Sequence, residues 1–238
     1  MVPSRGDRPT VGRRTTAKTP EAPPGVSARF WGLLLAEPLD RAEVLDVGTG
    51  TGRLALALAP HCRRVLGIDR DESALAEARR RAAAGALANV EFAEVDAEAR
   101  RDYLDLTPTW RRPTLVVAHL CMSEAIIAAA ARTLAPGEAL VFVALHTAQW
   151  RETGRRSRFA YEDDEARRQL TAHGFAVEHL EVEQEVERFD SVEQGLAAAV
   201  GLAEKWKADG RWFHYIKFLE DGGRTLTRSQ LLAKARKT

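Results

Sequence analysis

Cysteine is nearly absent from the 238 residues: Cys62 and Cys121 are the two present. They lie far apart and match no metal-ligand or redox spacing. A disulfide scaffold and a Cys-built metal site are therefore excluded, and a reduced, cytoplasmic setting is expected. No apolar run approaches the roughly 20 residues that span a bilayer, so no membrane partner is expected. The N-terminus is polar and lacks the apolar core of a signal peptide. An excess of one charge is missing too, since 35 basic residues face 34 acidic ones for a net +1. That balance favours neither nucleic acid nor an acidic partner. Only six of the basic residues are lysine; the other 29 are arginine. With such a bias, an Arg cluster says less than usual about anion binding.

The length suits one α/β domain with decoration. Residues 1–25 carry five prolines and scattered arginines without apolar periodicity. They read as a disordered basic tail, leaving 26–238 as the domain. Residues 27–39 read as a short amphipathic helix, with Phe30 and Trp31 either in the core or over a site.

The next hundred residues alternate strand and helix. Apolar strands are expected at 44–47, 65–68, 90–95, 115–118 and 139–145. Helices are expected at 53–59, 72–84 and 122–134. Such alternation predicts βαβ units and a parallel sheet with helices on both faces. Strands one, four and five are nearly unbroken apolar runs, as strands covered on both faces require. The second half departs from this rhythm. A helix at 161–173 precedes a long strand at 175–186, whose Glu181, Glu183, Glu185 and Glu187 share one face. Residues 191–220 read as a helical insert broken at Asp209-Gly210. Residues 228–236 read as a last strand.

Residues 44–52 read Val-Leu-Asp-Val-Gly-Thr-Gly-Thr-Gly. A strand runs into glycines at alternate positions, Gly48, Gly50 and Gly52, so a ligand can lie against bare backbone there. A dinucleotide fingerprint would put its third glycine at position 53, which is Arg53. No Tyr-x-x-x-Lys pair accompanies it. A nicotinamide-dependent oxidoreductase is thus the weaker alternative. Acids end two further strands: Asp69 closes the second and Asp96 the third. Ligands of open α/β sheets bind along that carboxyl edge.

In this D-x-G-x-G-x-G form the glycine turn resembles motif I of the class I S-adenosylmethionine-dependent methyltransferases, broadly the small-molecule group. The resemblance implies a Rossmann-like seven-stranded sheet of order 3-2-1-4-5-7-6, with strand seven antiparallel. It also implies S-adenosylmethionine as cofactor. Asp46 would sit beside the methionine part. The backbone from Gly48 through Thr49 and Gly50 to Gly52 would pass below it. Asp69, followed by Arg70, would take the ribose hydroxyls. Asp96 and the Ala97 N–H would take the adenine. The last two strands would bring the glutamate row beside a basic row.

Acceptor chemistry is less legible. Ala-His-Leu-Cys-Met follows strand four, without the Asn/Asp-Pro-Pro-Tyr/Phe of many amino-methylating enzymes. His119, also at the cofactor edge, and His146 are the candidate bases, each alternatively a pocket-lining residue. Trp150, Arg151, Trp212 and Tyr215 are candidates for an acceptor site built from aromatics and cations. No metal ligand set is apparent. A small-molecule acceptor is expected. RNA, held by the tail and the Arg-rich loop, is the alternative.

Overall fold

The computed structural model describes residues 20–238. The tail expected at 1–25 therefore lies outside the described residues, apart from 20–25. Four of those six residues are exposed, yet two backbone carbonyls tie the segment to the domain. The Pro20 carbonyl accepts a hydrogen bond from Trp31 Nε1 at 3.0 Å, and the Pro24 carbonyl one from Arg53 at 3.2 Å.

The strands are β1 (Glu43–Val47), β2 (Arg64–Asp69), β3 (Val90–Glu94), β4 (Leu115–His119), β5 (Ala139–His146), the two-residue β6 (Ala160–Tyr161), β7 (Phe175–Arg188) and β8 (Thr225–Lys237). They form one sheet of order β3-β2-β1-β4-β5-β8-β7, with β6 against β5. β8 runs antiparallel to both neighbours, and the other pairs are parallel. Setting the short β6 aside, this is the expected order.

The helices are α1 (Ala28–Leu35), α2 (Arg53–Leu58), α3 (Glu72–Ala84), α4 (Glu124–Thr133), α5 (Asp163–Ala172), α6 (Val192–Ala198), α7 (Ala203–Asp209) and α8 (Arg211–Glu220). Ser27 caps α1 through Phe30 N–H, and Asp71 caps α3 through Ser73 and Ala74 N–H. Each supplies a side-chain oxygen to a helix start that otherwise leaves donors unpaired. The chain's apolar alternation then builds two cores. Leu45, Val47 and Leu66 face α4 and α5. Val44, Val65 and Val141 face α1 and α2. Phe30 and Trp31 belong to this second core.

The insert is three short helices rather than two. The expected break is a left-handed residue, Gly210, with φ +82°. Its helices close on Trp150, Phe189 and Leu226 to form a third small core. The helix expected from 161 begins at Asp163, because Tyr161 pairs with His146 in β6. The Ala-rich helix expected from 122 begins at Glu124.

The glutamate row also differs from a simple match with the basic row. Glu185 stands opposite Arg228, but Glu183 faces Gln230 and Glu181 faces Leu232. A register shift between Val177 and His179 carries Glu178 to Lys234 and Arg236 instead. Those two cations share a second carboxylate, Glu37, which follows α1. Arg236 Nη2 lies 2.8 Å from Glu37 Oε1, and Lys234 Nζ also meets it. Glu37 and Lys234 are buried side chains, at 7% and 11% exposure. The quartet thus pins the segment after α1 to the last strand, with Glu37 and Lys234 buried and Arg236 and Glu178 nearer the surface.

Removing one partner of such a group strands buried charge, which costs about 3 kcal/mol or more. Glu37→Gln is therefore expected to destabilise the protein by about 3 kcal/mol in urea unfolding. Burial pushes the Glu37 carboxyl up, but the bonds from Arg236 and Lys234 together outweigh it and hold the group below its ordinary value. Its contribution is complete above the ordinary carboxylate range and is lost as pH falls through the lowered value. The gap between wild type and variant should accordingly shrink in acid.

Candidate functional site

The chain from β1 turns sharply at Gly48, where φ is +66°. A Cβ there would meet Cys121 Sγ at 2.5 Å, so the turn and the end of β4 lie too close for any side chain. Cys121 donates to the Val47 carbonyl at 3.0 Å across the same gap. At Gly50, by contrast, a Cβ would meet nothing within 4 Å, so the backbone faces open space. Gly52 leads into α2, again with positive φ, and its Cβ would press on Ala78 and Phe92.

Asp69 holds this turn. Its Oδ2 accepts the Gly50 N–H at 2.8 Å, and its Oδ1 accepts the Asp71 N–H at 3.1 Å. Asp71, not Asp69, caps α3. Each Asp69 oxygen keeps a further lone pair for a ligand.

One cavity of about 210 Å³ collects these strand ends. Gly48, Asp69, Arg70, Asp96 and Ala97 line it, all anticipated for the cofactor. Asp96 Oδ1 accepts the Glu98 N–H at 3.0 Å. No hydrogen bond among the described residues takes the Ala97 N–H. Val95, Leu120, Ile126 and Phe159 supply apolar walls. The last three escaped the sequence reading. Ile126 sits in an ordinary apolar helix, Phe159 on a loop, and Leu120 has a positive φ of 66° that only the fold reveals.

A smaller space of about 40 Å³ adjoins it at Gly48, lined by Val26, Asp46, Thr49, Arg53, Leu54 and His119. Asp46 is buried there. Its Oδ2 accepts Thr49 Oγ1 at 2.6 Å and the Ala55 N–H at 3.1 Å. Burial pushes its carboxyl up to about 7, against the downward pull of those two bonds. His119 lies under Phe30, with ring centres 5.8 Å apart, and its Nε2 is buried without a partner among the described residues. Burial, and then the Arg53 charge, lower it to about 4. The imidazole is thus neutral near pH 7. It offers a hydrogen-bonding nitrogen but little basicity, since a general base works best with a pKa near the working pH.

The other candidates lie elsewhere. His146 Nδ1 accepts the Ala148 N–H at 3.3 Å and lies 2.9 Å from Ser229 Oγ, while Nε2 lies 3.6 Å from Glu162. It lines neither cavity just described. Trp150 and Tyr215 pack edge-on against Trp206 inside the third core, and Trp212 leans on the same ring. Arg151 lies near Glu152, at 3.9 Å.

The raised Asp46 value has a consequence for stability. Between the ordinary carboxylate value and about 7, the folded chain holds a proton that the unfolded chain has lost. Stability therefore falls as pH rises through that window. Asp46→Asn removes the ionisation and keeps an oxygen for Thr49 and Ala55. Its melting temperature relative to wild type should climb as pH rises from about 5 to about 8. Parallel melting curves across that range would show that Asp46 does not titrate there.

Comparison with known proteins agrees with this geometry. Residues 44–137 match the family model described as a methyltransferase domain. The mouse tRNA (uracil-5-)-methyltransferase homolog A is 51% identical over 49 residues. That stretch is 21% of this chain and 8% of the mouse protein, so the chain spans a small fraction of that relative's length. An S-adenosylmethionine-dependent methyltransferase from Mesorhizobium loti superposes with a TM-score of 0.55 at 21% identity, over 88% of this chain and 98% of that one. The [4+2]-cyclase SpnF gives a TM-score of 0.60 at 22% identity, over 87% and 80%. The phosphoethanolamine N-methyltransferase 2 of Haemonchus contortus gives 0.58 at 16%, over 88% and 52%. These structural likenesses carry the fold, and the family match places a methyltransferase domain over residues 44–137, the stretch that holds the glycine turn.

Proposed function

We propose that this protein transfers the methyl group of S-adenosylmethionine to a small-molecule acceptor. The observation that carries this reading is the meeting of Asp69, Asp96 and the bare Gly48 backbone around one cavity. The cavity chemistry fits the cofactor in order along its length. Asp69 has free lone pairs for two ribose hydroxyls. Asp96 is an acceptor for the adenine amino group, and the Ala97 N–H is a donor for a ring nitrogen. Val95, Leu120, Ile126 and Phe159 suit the flat apolar faces of the base. The methionine arm would lie over Gly48 and Thr49 toward His119.

When bound, the cofactor supplies an activated methyl group: the acceptor's lone pair forms the new bond, the S–CH3 electrons return to sulfur, and the acceptor's proton leaves to solvent. The chain's contribution is to hold the acceptor in line and exclude water. Orientation alone lowers such barriers by several kcal/mol. His119 acts as a neutral orienting group, consistent with its depressed pKa of about 4. The Leu120 backbone, held by Val143 O at 2.7 Å, gives that edge a rigid wall.

RNA is the second reading, favoured by the short match to the mouse tRNA enzyme. Three arginines of the loop after β5 are already engaged, however. Arg155 bonds the Asp209 carbonyl, Arg156 pairs with Glu165 at 2.9 Å, and Arg158 lies 3.7 Å from Glu98. RNA binding that weakens steeply with salt would favour this reading over the first.

Calorimetry tests the cofactor assignment. S-adenosylmethionine and S-adenosylhomocysteine should bind saturably, and NADH should not. Asp69→Ala and Asp96→Ala should each weaken S-adenosylhomocysteine binding by about 1.5 kcal/mol or more, the scale of a hydrogen bond to a charged group. Unchanged affinity in both variants would remove the residue assignment, and NADH binding would replace the cofactor.

A further inference from the structure

Three arginines of the loop between β5 and β6 tie it to three different segments. Arg155 donates to the Asp209 carbonyl at the break between α7 and α8. Arg156 pairs with Glu165 of α5 at 2.9 Å and donates to the Ala160 carbonyl at 2.7 Å. Arg158 reaches in a third direction, to 3.7 Å from Glu98. Glu98 belongs to the segment after β3. In the sheet order, β3 and β5 are four strand spacings apart, roughly 19 Å. Among the described residues, Arg158 with Glu98 is the one ion pair or hydrogen bond that joins this loop to the segment after β3.

The residue after Arg158 shows what that reach does. Phe159 lines the cofactor cavity, and so does Glu98. The Arg158 guanidinium lies over the Phe159 ring, 4.1 Å from its centre. One side chain therefore holds both the ring and a residue of the opposite rim. Glu98 follows directly on Asp96 and Ala97, and its N–H is bonded to Asp96 Oδ1 at 3.0 Å. The ring thus stands at the Asp96–Ala97 end of the cavity rather than at its Gly48 end. We propose that Arg158 is a positioning residue for the cofactor: it sets the Phe159 ring as the wall against which the adenine lies. The proposal rests on the S-adenosylmethionine reading above and adds to it the residue that keeps this wall in place.

The Arg158–Glu98 pair lies near the surface, with side chains 68% and 35% exposed. A pair of that kind contributes little to stability by itself. A guanidinium over an exposed ring contributes only modestly as well. Arg158 is therefore no pillar of the fold. Its effect is on order. A free ring on a loop gives up rotational freedom when a ligand packs against it, whereas a ring already held in place gives up less. Arg158 thus acts on ligand affinity through Phe159, without itself touching the base.

Calorimetric titration of S-adenosylhomocysteine into the full chain and its variants tests this. Phe159→Ala should weaken binding about tenfold, the scale of one base–aromatic contact. Arg158→Ala should weaken it about threefold. Arg158→Lys keeps a cation over the ring and should lose less. In the double variant, Arg158→Ala should add nothing to the Phe159→Ala loss, because no ring is left to hold. 5′-Methylthioadenosine keeps the base and ribose but lacks the amino-acid arm, and should lose the same factors. Without ligand, Arg158→Ala should melt with wild type. Unchanged affinity in Arg158→Ala, losses that add in the double variant, or a loss confined to S-adenosylhomocysteine would overturn the proposal and leave the cofactor reading standing. Failure of wild type to bind S-adenosylhomocysteine would overturn both.

Discussion

The hydrogen bond from the Gly50 N–H to Asp69 Oδ2, at 2.8 Å, ties the turn after β1 to the end of β2. The rest of the site depends on it. A turn with successive positive φ values at Gly48, Gly50 and Gly52 has little to hold it by itself. The carboxylate fixes its height, and the contact of Gly48 with Cys121 fixes its distance from β4. Asp46 anchors the same turn from beneath through Thr49 and Ala55. Two acids from neighbouring strands therefore shape the backbone that a ligand would rest upon. One of them, Asp69, still faces the cavity with lone pairs to spare.

Burial divides the labour between these acids. Asp46 is enclosed, so its carboxyl is pushed up to about 7 and its hydrogen bonds go to the protein. Asp69 and Asp96 sit at the open edge, where a ligand can reach them. The same contrast separates the two histidines. His119 has a buried Nε2 with no partner among the described residues, beside the glycine turn, whereas His146 is engaged by Ser229, Ala148 and Glu162. The aromatic residues of the insert are likewise consumed in packing. Trp150, Trp206 and Tyr215 make edge-on pairs that give a cluster of short helices a core of its own. Short helices need such tertiary support, because they are marginal in isolation.

The last two strands meet α1 and the residues just after it on one side of the sheet. The Glu37–Lys234–Arg236–Glu178 group, with its first two members buried, holds these pieces together at one end. At the other end, Arg29 reaches the glutamates of β7. Between these ties a groove stays open. Glu183 and Glu185 of the glutamate row line that groove opposite residues 25–29.

By itself, the sequence determined the sheet and the edge at which its glycines and acids gather. Apolar runs of strand length, separated by helices of regular spacing, have few ways to bury both faces, and a parallel sheet is the common one. The glycines at 48, 50 and 52 and the acids at 46, 69 and 96 mark strand ends because turns and charges cannot continue a buried strand. Only the tertiary structure decided which groups share a space. Phe159, Leu120 and Ile126 come to the cavity from three separate segments, with no local signal of that meeting. Asp71 caps α3 while Asp69, two residues earlier, holds the glycine turn, a division set by backbone geometry. A shift in β7 brought Glu178 to Lys234 and Arg236, since one extra residue in a strand changes every later pairing. Periodicity is local and therefore readable along the chain. Register, burial and the company of a side chain are set by contacts between residues far apart in it.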